Sequence, residues 1–179
     1  MRKLVESTFV TLDGVISDPQ VWGMPYWDDE HNEYARRLLF SADALLLGRK
    51  TYEGFAQAWP ERAGSNDFAD RFNELPKYVA SRTLPPGEAE WNATVLAGEV
   101  AEAVSAAKEQ PGESIVKYGT GEFSQTLLEH KLVDEYHFWL FPEVVGDGER
   151  LFDGFRTSLE LLDTTRFASG IVVLMYAPK

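Results

Sequence analysis

Two periods of hydrophobic spacing alternate along the chain. Eight short runs are rich in β-branched or aromatic residues, or are bounded by turn-forming residues, and this pattern is typical of strands. The predicted strands cover residues 3–10, 43–47, 77–81, 92–96, 114–118, 135–141, 159–167 and 171–177.

Stretches with helical spacing lie between the predicted strands. Each places apolar residues three or four positions apart, which is typical of an amphipathic helix. The five apolar stripes consist of Tyr34, Ala35 and Leu38; Tyr52, Phe55, Ala56 and Trp59; Phe68, Phe72 and Leu75; Val100, Ala103, Val104 and Ala107; and Phe123, Leu127 and Leu128. Alternating strands and helices predict a mostly parallel sheet with helices on both faces.

The C-terminal part of the chain departs from this alternation. Only residues 168–170, Ala-Ser-Gly, separate the last two predicted strands. So short a connection is typical of an antiparallel hairpin. The predicted fold class is therefore α/β: a three-layer sandwich around a mostly parallel eight-stranded sheet with an antiparallel C-terminal hairpin.

Composition and charge narrow the classes of protein that fit. The chain has 179 residues and no repeat or Pro/Gly-rich linker, so we expect a single domain over residues 1–179. It contains no cysteine, which excludes disulfide scaffolds and thiolate metal sites. The three histidines lie far apart in the sequence, and we expect no bound metal.

The charge and the lengths of the apolar runs also bear on partners and location. The formal net charge of −12 repels polyanions, so we do not expect a nucleic-acid partner. No apolar run approaches the ~20 residues of a membrane-spanning helix, and the N-terminus lacks a signal-peptide pattern. We therefore expect a cytoplasmic protein without a membrane partner, and a small anionic ligand would need a local basic site.

One candidate basic site is the junction at Gly48, Arg49, Lys50 and Thr51, where a predicted strand runs directly into a predicted helix. Such a junction presents free backbone N–H groups and the positive end of the helix dipole. Phosphate binding is one interpretation. A tight turn with two solvated basic residues is the alternative.

A second candidate follows the strand at 77–81, where Ser81, Arg82 and Thr83 stand at its carboxyl end. In open α/β sheets ligands bind outside the carboxyl ends of the strands, and the forked donors of an arginine suit a ribose 2′-phosphate. The alternative is an arginine that covers the sheet edge.

A third glycine-bearing turn consists of Gly119, Thr120 and Gly121. It lies between a predicted strand and the predicted helix whose apolar stripe begins at Phe123. It lacks the third glycine of the dinucleotide-binding fingerprint, so by itself the motif is weak. As a third turn at a strand end it would complete a phosphate-lined rim, and we assign Phe123 to the cofactor site with it.

Four segments, taken together, resemble the dihydrofolate-reductase-like superfamily. Their sequences are TLDGVIS at 11–17, LLGRKTYE at 46–53, VASRTL at 79–84 and LVDEYHFWLFPEVVGDGERLF at 132–152. Within the superfamily the chain is most similar to the C-terminal reductase domain of the bifunctional riboflavin-biosynthesis deaminase-reductase. The last segment is the most specific of the four.

The resemblance implies NADPH as the cofactor. It assigns Gly48, Arg49, Lys50 and Thr51 to the phosphates, Ser81 and Arg82 to the 2′-phosphate, and Gly119, Thr120 and Gly121 to the pyrophosphate. By the same resemblance Thr11, Leu12 and Ile16 line the nicotinamide, and Asp13 lies near the substrate. The riboflavin enzymes commonly have Lys where this chain has Val15, and a small or apolar residue where it has Tyr118. Both departures weigh against a phosphoribosyl substrate.

The expected activity is reduction of a C=N or C=O carbon in a pterin-, pyrimidine- or ribityl-type small molecule, similar to 5-amino-6-(5-phosphoribosylamino)uracil reductase. Asp13 is the first candidate for proton donor, and Asp29 and Glu33 are the next. Dihydrofolate reductase activity and a non-catalytic NADP(H)-sensing module are the alternatives.

A homodimer is expected from the aromatic strand at 135–141, which has large side chains for both sheet faces and therefore needs cover on both. The resemblance to related reductase domains, which look dimeric, also favours a dimer. The alternative is that these side chains fill the core of one chain.

Overall fold

The computed structural model describes residues 1–179 and contains nine strands, six α-helices and two short 3-10 helices. The strands are β1 (Lys3–Thr11), β2 (Ala44–Gly48), β3 (Lys77–Ala80), β4 (Gly87–Ala89), β5 (Ala93–Val95), β6 (Ser114–Tyr118), β7 (Glu135–Phe141), β8 (Leu159–Arg166) and β9 (Val172–Pro178). The helices are α1 (Pro19–Trp22), α2 (Asp29–Phe40), α3 (Arg49–Ala58), α4 (Asp67–Glu74), α5 (Val100–Glu109) and α6 (Glu122–Glu129). The 3-10 helices are Met24–Tyr26 and Pro60–Arg62.

The predicted α/β class, the mostly parallel strands and the C-terminal hairpin are confirmed. All eight predicted strands are present, and the structure adds a ninth, β4. This strand pairs antiparallel with β5 over only three residues, Gly-Glu-Ala. So short and polar a segment has no hydrophobic alternation, which is why the sequence pattern did not predict it.

The chain separates into two compact units, which are described individually. The first comprises residues 1–4 and 36–119, and the second comprises residues 5–35 and 120–179. The single domain over residues 1–179 stays a prediction.

In the first unit, five strands lie in the order β4-β5-β3-β2-β6, and all pairs except β4 with β5 are parallel. The strand β2 is central and almost wholly apolar, as expected for a parallel strand buried on both faces. Tyr52 of α3 packs against Leu47, Val79 and Val95 of the strands. This packing fixes the start of α3 at the carboxyl end of β2.

In the second unit, the order is β1-β7-β9-β8, with β1 and β7 parallel and the other pairs antiparallel. The side chains of β7 alternate between the two sheet faces. Trp139 and Phe141 pack against Tyr34 of α2 and Trp22 of α1. Tyr136, with Phe138 stacked beside it, lies on the opposite face.

Both faces of the aromatic strand are covered within one chain. Trp139 is 1% exposed and Tyr136 2% exposed. The side chains that suggested a dimer interface therefore fill the core of the second unit, and they need no second copy to bury them.

The longest helix, α2, has 12 residues and a polar face. No helix combines the length and the apolar composition that crossing a membrane requires.

Candidate functional site

The three predicted phosphate-binding turns meet at one edge of the first unit. Gly48 at the end of β2 pairs in register with Ala80 at the end of β3, and Leu47 pairs with Tyr118 at the end of β6. Because these strands are parallel and adjacent, the turns that follow them leave the sheet side by side. The structure therefore brings the turns at 48–51 and 81–83 and residue Gly119 together.

The first turn connects β2 to α3 without any loop. Gly48 is the N-cap residue, and no side chain caps the first N–H groups of the helix. These N–H groups and the helix dipole favour an anion. Arg49 pairs with Glu53 one turn along the same helix at 2.9 Å, whereas the Lys50 side chain is exposed.

The second turn is ordered by a serine hydroxyl. Ser81 Oγ accepts hydrogen bonds from the backbone N–H groups of Thr83, at 3.1 Å, and Leu84, at 2.9 Å. This arrangement stops β3 sharply and leaves the side chains of Arg82 and Thr83 exposed. Ser81 therefore shapes the turn, and Arg82 is its charged group.

The third turn approaches the first so closely that a side chain would not fit. Gly119 has φ of +79°, and a Cβ atom there would collide with the Thr51 hydroxyl. The buried Lys117 donates a hydrogen bond from Nζ to the carbonyl oxygen of Gly119. The backbone at Gly119 is thus held from within its own strand, and the space beside it is narrow.

In the second unit, the loop after β1 is built on Thr11, Asp13 and Arg150. Thr11 Oγ1 donates to Asp13 Oδ1 at 2.5 Å and accepts from the N–H of Val15 at 2.9 Å. The Asp13 carboxylate also accepts from the N–H of Gly146 at 2.7 Å. The Arg150 guanidinium donates to the carbonyl oxygens of Asp13 and, at 3.0 Å, Gly146.

These contacts determine the protonation state of Asp13. The hydrogen bond from Thr11, followed by that from the Gly146 N–H, lowers the pKa of Asp13 to about 2. Donors stabilise the ionised form of a carboxylate. An acid with so low a pKa holds no proton at neutral pH, so the geometry gives Asp13 a part in ordering the loop and gives no support to proton donation by it.

A cavity of about 280 Å³ lies within the second unit. Its walls come from β1, β7, the start of α6 and the segment 149–155. The lining residues are Glu6, Ile16, Thr120, Gly121, Glu122, Ser124, Gln125, Leu128, Tyr136, Glu149, Arg150, Phe152, Asp153 and Phe155. Its size is close to the lower limit of about 300 Å³ for small-molecule pockets.

Two buried polar side chains on neighbouring strands form one wall of this cavity. Glu6 of β1 pairs in register with Tyr136 of β7, so both side chains lie on the same sheet face. Glu6 is 1% exposed, and the Tyr136 hydroxyl is buried without a hydrogen-bond partner. Burial, and to a lesser degree the Glu6 carboxylate, raises the pKa of Tyr136, so its hydroxyl stays protonated.

The structure divides the site residues predicted in the second unit into those inside and those outside the cavity lining. Ile16, Thr120 and Gly121 line the cavity. Thr11, Leu12, Asp13 and Phe123 lie outside the lining, as do the exposed Asp29 and Glu33 of α2.

Among the residues that the sequence did not predict for these sites, four contribute the polar groups discussed above. They are Glu6, Lys117, Tyr136 and Arg150. Glu6 and Lys117 are charged residues with apolar neighbours in predicted strands, and this contrast is a signal that sequence inspection can find. Tyr136 looks like any aromatic core residue, and its unpartnered hydroxyl is visible only in three dimensions.

Comparison with known proteins identifies the class of fold. The chain is similar to the solved structure of a protein assigned to riboflavin biosynthesis from Shewanella sp. PV-4, with a TM-score of 0.74, 18% identity and 99% of each chain covered. It is also similar to a pyrimidine reductase-like protein from Corynebacterium diphtheriae, with a TM-score of 0.65, 15% identity, and coverage of 99% of this chain and 92% of that one. A third similar structure is a diaminohydroxyphosphoribosylaminopyrimidine deaminase/5-amino-6-(5-phosphoribosylamino)uracil reductase from Thermotoga maritima, with a TM-score of 0.69, 14% identity, and coverage of 99% of this chain and 57% of that one. The fold is that of the dihydrofolate-reductase-like proteins.

The family follows from the sequence match. The chain belongs to the RibD C-terminal domain family, whose model matches residues 2–173. It is also similar to the uncharacterized protein YyaP of Bacillus subtilis (strain 168), with 29% identity over 187 residues, 98% of this chain and 94% of that protein. Family membership supports a reductase-like role.

The close approach at Gly119 gives a stability test. We expect Gly119→Ala to lower the free energy of unfolding by at least about 1 kcal/mol, because a positive φ and a collision with Thr51 both oppose the new Cβ. Gly54→Ala is the matched control: Gly54 lies inside α3 with open space around it, so the change should stabilise by about 0.5–1 kcal/mol. Urea unfolding measures the free energy of unfolding of both variants. Equal changes in the two variants would contradict the close approach of Gly119 to Thr51.

The Asp13 contacts give a pH test. The pKa of Asp13 is lower in the folded protein than its usual 3.8, so its stabilisation of the loop is present above about pH 4 and is lost as the pH falls towards 2. The protection of the Gly146 amide against hydrogen exchange, relative to its intrinsic rate at each pH, should fall as the pH is lowered over that range, and in Asp13→Ala it should be low throughout.

Asp147→Ala is the control within the same loop, since the Asp147 carboxylate accepts from the N–H of Gly148. Exchange at Gly146 should be unchanged in this variant. Unaltered exchange at Gly146 in Asp13→Ala would show that the carboxylate does not hold the loop.

Proposed function

We propose that the protein is an NADPH-dependent reductase that transfers hydride to a C=N or C=O carbon of a pterin-, pyrimidine- or ribityl-type small molecule. The observation that supports this most strongly is the alignment of the turns at 48–51, 81–83 and 119 at the carboxyl ends of three adjacent parallel strands. Family membership adds the reductase-like role, and the uracil reductase from T. maritima shares the fold.

The turns of the first unit suit the phosphates of NADPH. The uncapped start of α3 offers backbone N–H groups, Thr51 offers a hydroxyl and Lys50 offers a positive charge. Gly119 has no side chain, and this allows Thr51 of the first turn to pack directly against the backbone of the third. We assign Gly48, Arg49, Lys50 and Thr51 to phosphate binding, and Arg49 would exchange part of its pairing with Glu53 for the ligand.

The exposed turn at 81–83 suits the 2′-phosphate that distinguishes NADPH from NADH. Ser81 holds the turn, so Arg82 and Thr83 are presented from an ordered backbone. The guanidinium of Arg82 can form paired, charge-assisted hydrogen bonds to phosphate.

As the family resemblance implies, we assign Thr11, Leu12 and Ile16 to the nicotinamide and Gly119, Thr120 and Gly121 to the pyrophosphate. Phe123 is assigned to the cofactor site without a more specific role. When bound, the cofactor supplies the hydride. Asp13 and Arg150 act as positioning residues, because they hold the loop that presents Ile16 to the cavity.

The cofactor assignment predicts a preference for NADPH. A charge-assisted contact to phosphate is worth on the order of 1.5–3 kcal/mol, so NADPH should bind about ten- to a hundredfold more tightly than NADH. Arg82→Ala should remove most of this difference and leave NADH affinity unchanged. Calorimetric titration with NADPH and with NADH measures this difference in affinity. Arg156→Ala is the control, because Arg156 is an exposed arginine outside the proposed site. Equal affinities in the unmutated protein would refute the assignment.

A non-catalytic NADP(H)-sensing module is the second candidate, because none of Asp13, Asp29 and Glu33 offers a proton to the cavity in this geometry. The two functions differ in turnover. A sensing module binds NADPH without consuming it, whereas steady NADPH oxidation with dihydrofolate, the aminouracil ribosyl phosphate or a panel of small imines excludes it. Turnover of dihydrofolate alone would favour the dihydrofolate reductase alternative.

We also propose a homodimer, now based on the edge strand β8. This strand pairs only with β9, and its Leu161 and Leu162 are about half exposed, at 51% and 49%. An edge strand with exposed leucines favours pairing with another chain. Light scattering should give about twice the 20.2 kDa of one chain, and Leu161→Lys should reduce the mass, whereas Glu160→Lys on the same strand should not. A mass near 20.2 kDa for the unmutated protein would contradict the dimer.

A further inference from the structure

The cavity of the second unit contains a polar group that the proposed cofactor contacts do not use. Tyr136 lines the cavity and is 2% exposed, and its hydroxyl has no hydrogen-bond partner in the protein. A buried hydroxyl without a partner costs about 1–3 kcal/mol of free energy. A phenylalanine in the same place would avoid that cost, so the hydroxyl is explained if a ligand satisfies it.

Glu6, on the neighbouring strand, lines the same cavity as Tyr136. The parallel register of β1 and β7 places the two side chains as direct neighbours on one face. A carboxylate has two oxygens and about four lone-pair positions, so it can accept from a ligand in addition to its contacts within the protein. Together the two groups offer acceptors for N–H donors, with the tyrosine also able to donate.

We propose that Tyr136 and Glu6 bind the substrate of the proposed reductase, and that this substrate presents an unphosphorylated, N–H-bearing cationic group to the cavity. That the bound molecule is reduced rests on the proposed function, whereas the binding of a cationic group in the cavity does not depend on it. It narrows the substrate types given above to those whose reacting end carries a nitrogen cation.

The charges around the cavity favour a cation over a phosphate. Its lining contains four carboxylates and one guanidinium: Glu6, Glu122, Glu149 and Asp153 against Arg150. The Arg150 guanidinium already donates to the carbonyl oxygens of Asp13 and Gly146. Acidic residues thus outnumber the single arginine in the lining, and Arg150 would have to leave the loop to form a paired contact with a phosphate.

A cationic substrate also fits the positions of the three acids predicted from the sequence, Asp13, Asp29 and Glu33, all outside the cavity lining. Hydride transfer to the carbon of a protonated C=N bond forms a C–H bond, and the π electron pair moves to nitrogen. The positively charged substrate becomes a neutral amine while NADPH becomes NADP+. The protein then supplies no proton in this step, which agrees with the low pKa of Asp13 and with Asp29 and Glu33 outside the cavity lining.

Three isosteric probes test the binding preference: benzamidine, a planar cation at neutral pH; benzamide, which is neutral; and benzoate, an anion. Phenyl phosphate is the fourth probe. Each is titrated into the ¹⁵N-labelled full chain, with and without NADPH, and backbone amide shifts at Gly121 and Phe152 report binding in the cavity. We expect benzamidine to shift these amides and to bind at least tenfold more tightly than benzoate or phenyl phosphate.

Two matched tyrosine variants test the role of the hydroxyl. Tyr136→Phe should raise the dissociation constant of benzamidine by about two- to tenfold, the effect of one hydrogen bond, while the free energy of unfolding stays equal or rises. Tyr118→Phe is the control, because Tyr118 has the other buried tyrosine hydroxyl without a partner and lies outside the cavity lining. It should leave benzamidine binding unchanged.

The outcomes separate this proposal from the proposed function. Tighter binding of the anions, no amide shift with benzamidine up to its solubility limit, or equal benzamidine affinity in Tyr136→Phe and Tyr118→Phe would overturn the substrate class. If NADPH leaves every amide of the chain unshifted while benzamidine binds as expected, the cavity assignment stands and the proposed reductase function fails. If NADPH binds but the cavity prefers phenyl phosphate to benzamidine, the proposed reductase function stands and the cationic substrate class fails.

Discussion

The parallel alignment of β2, β3 and β6 is the constraint on which the proposed cofactor site depends. Parallel neighbours end at the same edge, so three turns that lie far apart in the sequence leave the sheet side by side. Gly119 then approaches Thr51 closely enough to exclude a side chain. Backbone N–H groups, the Thr51 hydroxyl and three basic side chains, those of Arg49, Lys50 and Arg82, belong to these turns in a chain whose net charge is −12.

A second pairing of parallel strands shapes the cavity. The register of β1 and β7 places Glu6 beside Tyr136, and the same alternation sends Trp139 and Phe141 to the opposite face, where α2 covers them. One face of β7 is therefore a dry aromatic core, and the other presents a carboxylate and a hydroxyl to a small cavity. Asp13 and Arg150 hold the loop beside it through backbone contacts. Electrostatically, this cavity differs from the basic strand edge of the first unit.

Much of the fold could be predicted because hydrophobic periodicity reports directly on burial. The eight runs of strand-like residues correspond to strands, and the short Ala-Ser-Gly connection forms the expected hairpin. The strand β4 was not predicted because the three residues Gly-Glu-Ala are too few to show a hydrophobic pattern, and they pair with the edge of β5. The positions of the three turns could be predicted for the same reason as the strands, since each turn follows a strand.

The chemistry of the second unit was harder to predict, because it depends on contacts between residues distant in the sequence. Asp13 resembles a catalytic acid until its three hydrogen-bond donors are known. Likewise, the aromatic residues of β7 suggested an interface, and only packing shows that Trp139 and Tyr136 are buried within one chain. A hydroxyl that lacks a partner, as in Tyr136, has no signature in sequence at all.

The most direct test of the central claim is the location of NADPH on the first unit. Backbone amide shifts recorded during a titration of the ¹⁵N-labelled chain report where the phosphates bind. The account predicts that the largest changes occur at Lys50, Thr51, Arg82 and Gly119, the residues of the three turns. Saturable NADPH binding with unchanged amides at all three turns would contradict it.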